Sequence, residues 1–317
     1  MQDNEAEAIL DHLLTAAKRA KADAADAVIY RSISSSVACR LGKLEELERS
    51  ESRDLGLRVL IGRRQAFVST TDFSKRALDE LVARCAAMAK TAPEDPYCGL
   101  APAERLARPP FPNLDLGDFA EPDTATLRRR AAECEASALA VKGVVNSDGA
   151  GAGYGEGRKW FATSGGFLGS SAGGHHSLSV TVIAEDGAGM ERDYDWDSKT
   201  HASDMRSPES IGARAGARAL APQSPKKIKS QTAPVINDRR LSSSLLSTLA
   251  GAINGAAIAR GVSFLKDKKG ARILPRGLNV IDAPHIRRGH GSRPFAGEGV
   301  AAAAHQIDEG GVLTAWL

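Results

Sequence analysis

Apolar residues in the first ninety positions change period several times. Residues 5–21 place Ala8, Leu10, Leu13, Leu14 and Ala17 at helical spacing, which predicts an amphipathic helix. Residues 27–30 and 33–41 read as two strands, residues 44–48 as a charged connection made of a turn and a strand edge, and residues 55–62 as a further strand. Residues 62–64 are a turn, with residues 65–69 as the hairpin mate. Ser74 is placed to cap a helix running through Leu78, Leu81, Val82, Cys85 and Met88. Helix, antiparallel strands and helix make an α+β lobe over residues 1–105.

Prolines then crowd residues 91–123 and predict a long connection. Thr124 caps a helix through Leu127, Ala131, Cys134 and Leu139, and a β-rich section starts at residues 141–147. Together these form a middle segment, residues 106–222. Within it, the alternating glycines of residues 149–157 are read as a wide hairpin turn. A phosphate cradle needs a helix after the loop, and residues 159–163 read as a strand instead. Residues 169–173 fit G-x-S-x-G around Ser171, but a nucleophile elbow needs strand, turn and helix; the period-two run of residues 177–182 favours a glycine-rich loop. His175 and His176 are adjacent, point to opposite faces on a strand, and are read as solvent or edge residues. Asp193, Asp195 and Asp197, beside Tyr194 and Trp196, are read as a solvated loop, with a cation or peptide amine as the alternative ligand. A short helix with Arg214 and Arg218 (211–220), a linker with a basic cluster (222–229) and a strand (233–237) follow.

The third segment, residues 227–317, is centred on an apolar helix. Leu241, Leu245, Leu249 and Ile253 form one stripe, and Gly251, Gly255 and Ala259 form another made of small residues. Two helical glycines cost about 1 kcal/mol each relative to alanine, and close packing of a buried helix would offset that. A strand at 278–282 and a glycine-rich loop at 287–299 come next. In that loop Arg293, Phe295 and Glu298 are candidate peptide contacts, because such a loop can add an extended peptide as a strand; a structural turn with a surface salt bridge is the alternative. The fold class is therefore α+β: an N-terminal lobe of antiparallel strands with flanking helices, then a β-rich C-terminal part with a buried Gly/Ala-rich helix.

Composition narrows the function classes. The 317 residues carry a net charge of +3, too weak to argue for nucleic acid, and only 5% are aromatic, which weakens base stacking. The four cysteines, Cys39, Cys85, Cys98 and Cys134, have no C-x-x-C pair, so free thiols in a reduced cytoplasm are expected. No run reaches the roughly 18 apolar residues of a membrane span.

The wording of residues 255–265, 291–300, 311–314 and 316–317 resembles the TldD/PmbA family, and within it the PmbA (TldE) branch. The resemblance implies a role in proteolysis as one subunit of a cytosolic, two-subunit metalloprotease that processes peptides. The TldD branch carries His-Glu-x-x-x-His on the corresponding helix. Here Ser247, Thr248 and Ala252 stand at the two ligand positions and the base position. None can bind zinc as an imidazole does, or take a proton from bound water as a carboxylate does. The ligand positions i and i+5 also lie about 140° apart on a regular helix. The resemblance thus implies a metal-free-type subunit of a heterodimer, with no cofactor of its own, zinc in a TldD-type partner, and a peptide substrate. Whether the chain is itself an enzyme stays open. The family is also described as modulators of DNA gyrase, so a non-enzymatic regulatory or binding protein is the alternative. The family continues beyond residue 317, so the third segment is expected to be incomplete, with reduced stability, dependence on another chain, or no function.

Overall fold

The computed structural model describes residues 2–185, 189–221 and 227–317. The chain divides into two compact units. The first is Met1–Pro225 with Ile286–Ala302; the second is Lys226–His285 with Ala303–Leu317.

The first unit is α+β, as the periodicity predicts. Its helices are α1 (Asp3–Arg19), α2 (Lys75–Thr91), α3 (Thr124–Leu139) and α4 (Pro208–Leu220). Its strands are β1 (Ala24–Arg40), β2 (Lys43–Ile61), β3 (Arg64–Thr70), β4 (Val144–Thr163), β5 (Leu168–Glu185) and β6 (Met190–Lys199). They form one antiparallel sheet in the order β3-β2-β1-β4-β5-β6. Residues 1–105 and 106–222 therefore share a sheet through the β1–β4 pairing.

One face of that sheet carries both halves of the core. On β1 the buried residues Ala27, Ile29, Val37 and Cys39 are all at odd positions, so they point the same way. Under α1 and α2, Ile29 packs with Leu10, Leu13, Leu55, Leu57, Leu81 and Trp160. Under α3 and α4, Val37 and Cys39 pack with Leu127, Cys134, Leu178, Val180 and Ile211. Fully burying each leucine is worth about 1.5–3 kcal/mol. Ser74 caps α2 by accepting from Ala77 N. The cap of α3 is Asp123, not Thr124. Ala8 is exposed and the inward stripe of α1 runs through Ala6 instead. Glu135 on α3 is buried and accepts the Leu41 and Gly42 N–H groups at 2.8 and 2.9 Å. That bond set holds the β1–β2 turn, where both residues have positive φ.

Several expected loops are strand. Residues 27–40 lie in one strand, β1, and residues 44–48 lie in β2, past the turn at Leu41 and Gly42. Residues 149–157 lie inside β4 and residues 169–173 inside β5. Residues 193–197 lie in β6, where Asp195 and Asp197 are buried rather than solvated. Gly, Ser and Asp act as turn residues in an isolated segment, but here continuous ladders on both flanks hold them extended.

The second unit has helices α5 (Ser242–Ala252) and α6 (Gly255–Ala259) and a small sheet of β7 (Val280–Asp282), β8 (His305–Glu309) and β9 (Val312–Leu313). The expected long buried helix is instead two helices broken at Asn254, whose side chain caps α6 by accepting from Ala256 N. Its leucine stripe is largely exposed: Leu241 is 50% and Leu245 58% accessible, and burial begins at Ala252 and Ile253. A Cβ on Gly251 would meet nothing within 4 Å, so the glycine serves no close packing here. Residues 233–237 form no strand. Of the expected 222–229 linker, residues 222–226 lie outside the described residues.

Candidate functional site

The other face of the large sheet is built from small and polar side chains. At even positions of β1 stand Tyr30, Ser32 and Ser34; opposite them on β4 are Lys159, Gly157 and Gly155; opposite those on β5 are Ser171, Gly173 and His175. The glycines make a low floor over which larger neighbours lie. A Cβ on Gly157 would collide with the Tyr30 hydroxyl, and one on Gly155 would stand 2.6 Å from His175 Cε1. The result is a groove of about 410 Å³, floored by Ser32, Ser34, Gly155 and Gly157, walled by Tyr30 and His175, and rimmed by Ser292, Arg293 and Pro294. Burial first, and then His290 and His176 nearby, hold His175 below the ordinary imidazole range.

One end of the groove is closed by an aromatic cluster. Phe295 is 2% exposed and packs against Phe111 and Phe167 with ring centroids 5.1 and 5.0 Å away. Phe161 completes the cluster from β4. Residues of the proline-rich connection pair with the returning loop here: Ala107 N donates to Gly299 O at 2.8 Å and Ala301 N to Arg105 O at 2.9 Å.

Two histidine–aspartate pairs anchor the proline-rich connection, and one of them also holds the rim loop through Arg288. The Asp115 carboxylate accepts from Arg288 Nε at 2.7 Å and lies 3.1 Å from His201 Nε2. Arg288 also reaches Asp204 at 2.9 Å. Asp118 lies 2.9 Å from His176 Nε2 and accepts Ala202 N at 2.9 Å. His176 is 1% exposed, so it is not the solvent or edge residue expected from its neighbour-to-neighbour alternation; its odd-numbered neighbour His175 is the one on the groove. The bond from Arg288 keeps the Asp115 carboxyl below the ordinary range. For Asp118, burial acts to raise the pKa, and the Ala202 N–H and His176 outweigh it, leaving it lowered. A carboxyl lowered in the folded state gives stability that is fully present above its unfolded value near 4. That stability is lost as pH falls through the native value. The double variant Asp115→Asn/Asp118→Asn is therefore expected to melt below wild type at pH 6, with the gap closing towards pH 3. A gap that stays constant in circular-dichroism melts would contradict this assignment.

The three loop residues singled out by sequence have separate places. Arg293 is on the groove rim. Phe295 is buried in the aromatic cluster. Glu298 lies 3.3 Å from Arg58, which also binds Asp26. Tyr30 and Lys159 had no motif to mark them, although glycine at every second position from 149 to 157 is itself a strand-face signal.

The zinc-motif positions lie on α5. Ser247 and Thr248 are exposed, Thr248 Oγ1 donates to Ser244 O at 2.9 Å, and Ala252 is buried. A hydroxyl, a hydroxyl turned to its own helix and a methyl do not fit a zinc ligand set. Among the described residues no three His, Cys, Asp or Glu side chains are grouped to hold a metal ion. Nor, among them, is any helix long and apolar enough to cross a membrane. Cys39, Cys85, Cys98 and Cys134 are free thiols, and burial pushes Cys134 up to about 12.

Three family models match in chain order: the PmbA/TldA metallopeptidase domain 1 over residues 25–89, its central domain over residues 117–222, and its C-terminal domain over residues 230–317. The chain belongs to the PmbA/TldD family. It is 36% identical over 298 residues to metalloprotease PmbA of Escherichia coli O157:H7, covering 94% of this chain and 66% of that one. It is 31% identical over 283 residues to a metalloprotease PmbA homolog of Haemophilus influenzae, covering 89% and 62%. The chain thus spans less than two thirds of the length of these curated relatives. Among solved structures, a Bacteroides thetaiotaomicron protein described as a candidate modulator of DNA gyrase superposes with TM-score 0.91 at 25% identity, covering all of this chain and 72% of that one. TldE of Thermococcus kodakarensis shares the fold, with TM-score 0.80 at 18% identity over 98% and 69% of the two chains.

Proposed function

We propose that this chain is a PmbA/TldE-type subunit of a heteromeric metalloprotease in the cytoplasm, without a zinc site of its own, that supports a zinc-bearing TldD-type partner in processing peptides. The observation that carries the reading is the set Ser247, Thr248 and Ala252, which offers neither a ligand nor a base where the family's catalytic branch has both. The groove over Gly155 and Gly157 supplies what such a subunit needs: a shallow polar channel, open to an extended main chain, with hydroxyls able to donate and accept. In this reading the chain's residues bind and orient peptide, and the partner cleaves it.

Metal content and peptide cleavage should be measured for the chain alone, a TldD-type partner alone, and the two mixed. The expected result is no stoichiometric zinc in this chain, no cleavage by it alone, and faster cleavage by the mixture than by the partner. Stoichiometric zinc in the isolated chain, with peptidase activity abolished by Glu298→Ala, would overturn the proposal.

A further inference from the structure

Lys159 stands on the groove face directly opposite Tyr30 on one neighbouring strand and Ser171 on the other. Directly opposed residues place their Cβ atoms about 4.5–5.5 Å apart, so Lys159 is flanked at its base by Tyr30 and Ser171, while the Tyr30 hydroxyl itself lies over Gly157. Its Nζ is 5.2 Å from the Phe295 ring centroid, against the aromatic end wall. The side chain is half-buried, and burial lowers its pKa.

Lysine is almost never fully buried unless paired, whereas a half-buried lysine can keep its ammonium in water. Among the described residues Lys159 has no carboxylate within ion-pair distance. The acids nearby are occupied or distant. Glu156 also lines the groove, and its carboxylate accepts from the Tyr154 hydroxyl at 2.6 Å. Asp26 and Glu298 are both held by Arg58. Asp54 lies across Tyr30 on β2, two strands from Lys159.

We infer that Lys159, beside the groove-lining Tyr30 and Ser171, forms a carboxylate-binding subsite at the edge of the groove, in which its ammonium pairs with a carboxylate of an extended peptide. The inference rests on the peptide-handling reading above and deepens it by naming what on the peptide is recognised. The carboxylate can be the peptide's C-terminus or an acidic side chain, and the two sources are separable by experiment.

The test is isothermal titration calorimetry on the full chain with three Nα-acetylated Gly/Ala pentapeptides: one with a free C-terminal acid, one amidated, and one amidated with a single internal aspartate. A carboxylate-bearing peptide is expected to bind at least about tenfold tighter than the neutral amide, the scale of one charge-assisted hydrogen bond. Preference for the acid assigns the C-terminus; preference for the aspartyl amide assigns a side chain. Lys159→Met should remove the preference and Lys159→Arg should keep part of it, with both variants melting like wild type. Equal binding of all three peptides, or a preference that survives Lys159→Met, overturns the inference and leaves the subunit reading intact. Binding of none of them also overturns it, and the zinc and cleavage measurements still decide the subunit reading separately.

Discussion

Asp195→Asn is expected to be the most destabilising charge change in the first unit, at about 3 kcal/mol. The Asp195 side chain is 5% exposed and accepts from Arg206 Nη1 at 2.7 Å and from Arg218, with Arg214 3.6 Å away. Burial works to raise its pKa, yet the three guanidinium groups win and hold it below the ordinary range. Removing one partner of a buried ion pair costs about 3–5 kcal/mol, because the other charge is left uncompensated. Here the arginines remain 30%, 41% and 21% exposed, so water relieves part of that and the lower end applies. At roughly 2–4 °C per kcal/mol for a unit of this size, the melting temperature should fall by about 6–12 °C at pH 7. Since the native pKa is lowered, the deficit should shrink as the pH drops through the native value, where wild type loses the same charge. A loss below about 1 kcal/mol in denaturant titration would mean the cluster is a solvated surface pair in practice.

The second large effect is steric. Gly212 on α4 faces α3 so closely that an added Cβ would collide with Cys134 O, with Ser137 Cβ 2.8 Å and Ala138 N 2.9 Å away. These atoms belong to the body of a helix and cannot swing aside. Gly212→Ala gains about 1 kcal/mol of helix propensity. Overpacking a tight contact costs about 1–3 kcal/mol, occasionally more. With backbone on the receiving side the cost lies at the top of that range, so a net loss of about 2 kcal/mol is expected. A Gly166→Ala control, in a turn where a Cβ meets nothing within 4 Å but φ is +95°, separates backbone strain from collision. Stabilisation of the Gly212 variant in chemical denaturation would show that α3 and α4 can part cheaply.

The readable parts of the chain were those where apolar spacing alone decided the structure. Leu78, Leu81, Val82 and Cys85 recur at helical spacing and are all buried in α2, and the residue 62–64 turn joins β2 to β3. What misled was local chemistry whose meaning depends on partners far away. Glycines at 155 and 157 look like a turn until Ser34 and Ser32 on one side and His175 and Gly173 on the other hold them in a ladder. Asp195 looks solvated until Arg206, Arg214 and Arg218 arrive from the next helix and its lead-in. Leu241 and Leu245 look like a core stripe and are not one, because periodicity records which residues share a helix face and not what lies against that face. For the groove, Arg293 was visible as a charge in a glycine-rich loop. Lys159 was not, since its isolation from any acid is a property of the assembled sheet.

The route of the chain between its two units has a practical consequence. Residues 226–285 are spelled out before residues 286–302 return to complete the first unit with Phe295 and Arg288. At roughly 5–20 residues per second on the ribosome, the nascent sheet waits several seconds with its Phe111, Phe161 and Phe167 rings uncapped. An expression truncation made at the apparent seam near residue 225 would make that wait permanent, so a shortened protein intended as the first unit must carry the later segment by circular rearrangement or co-expression.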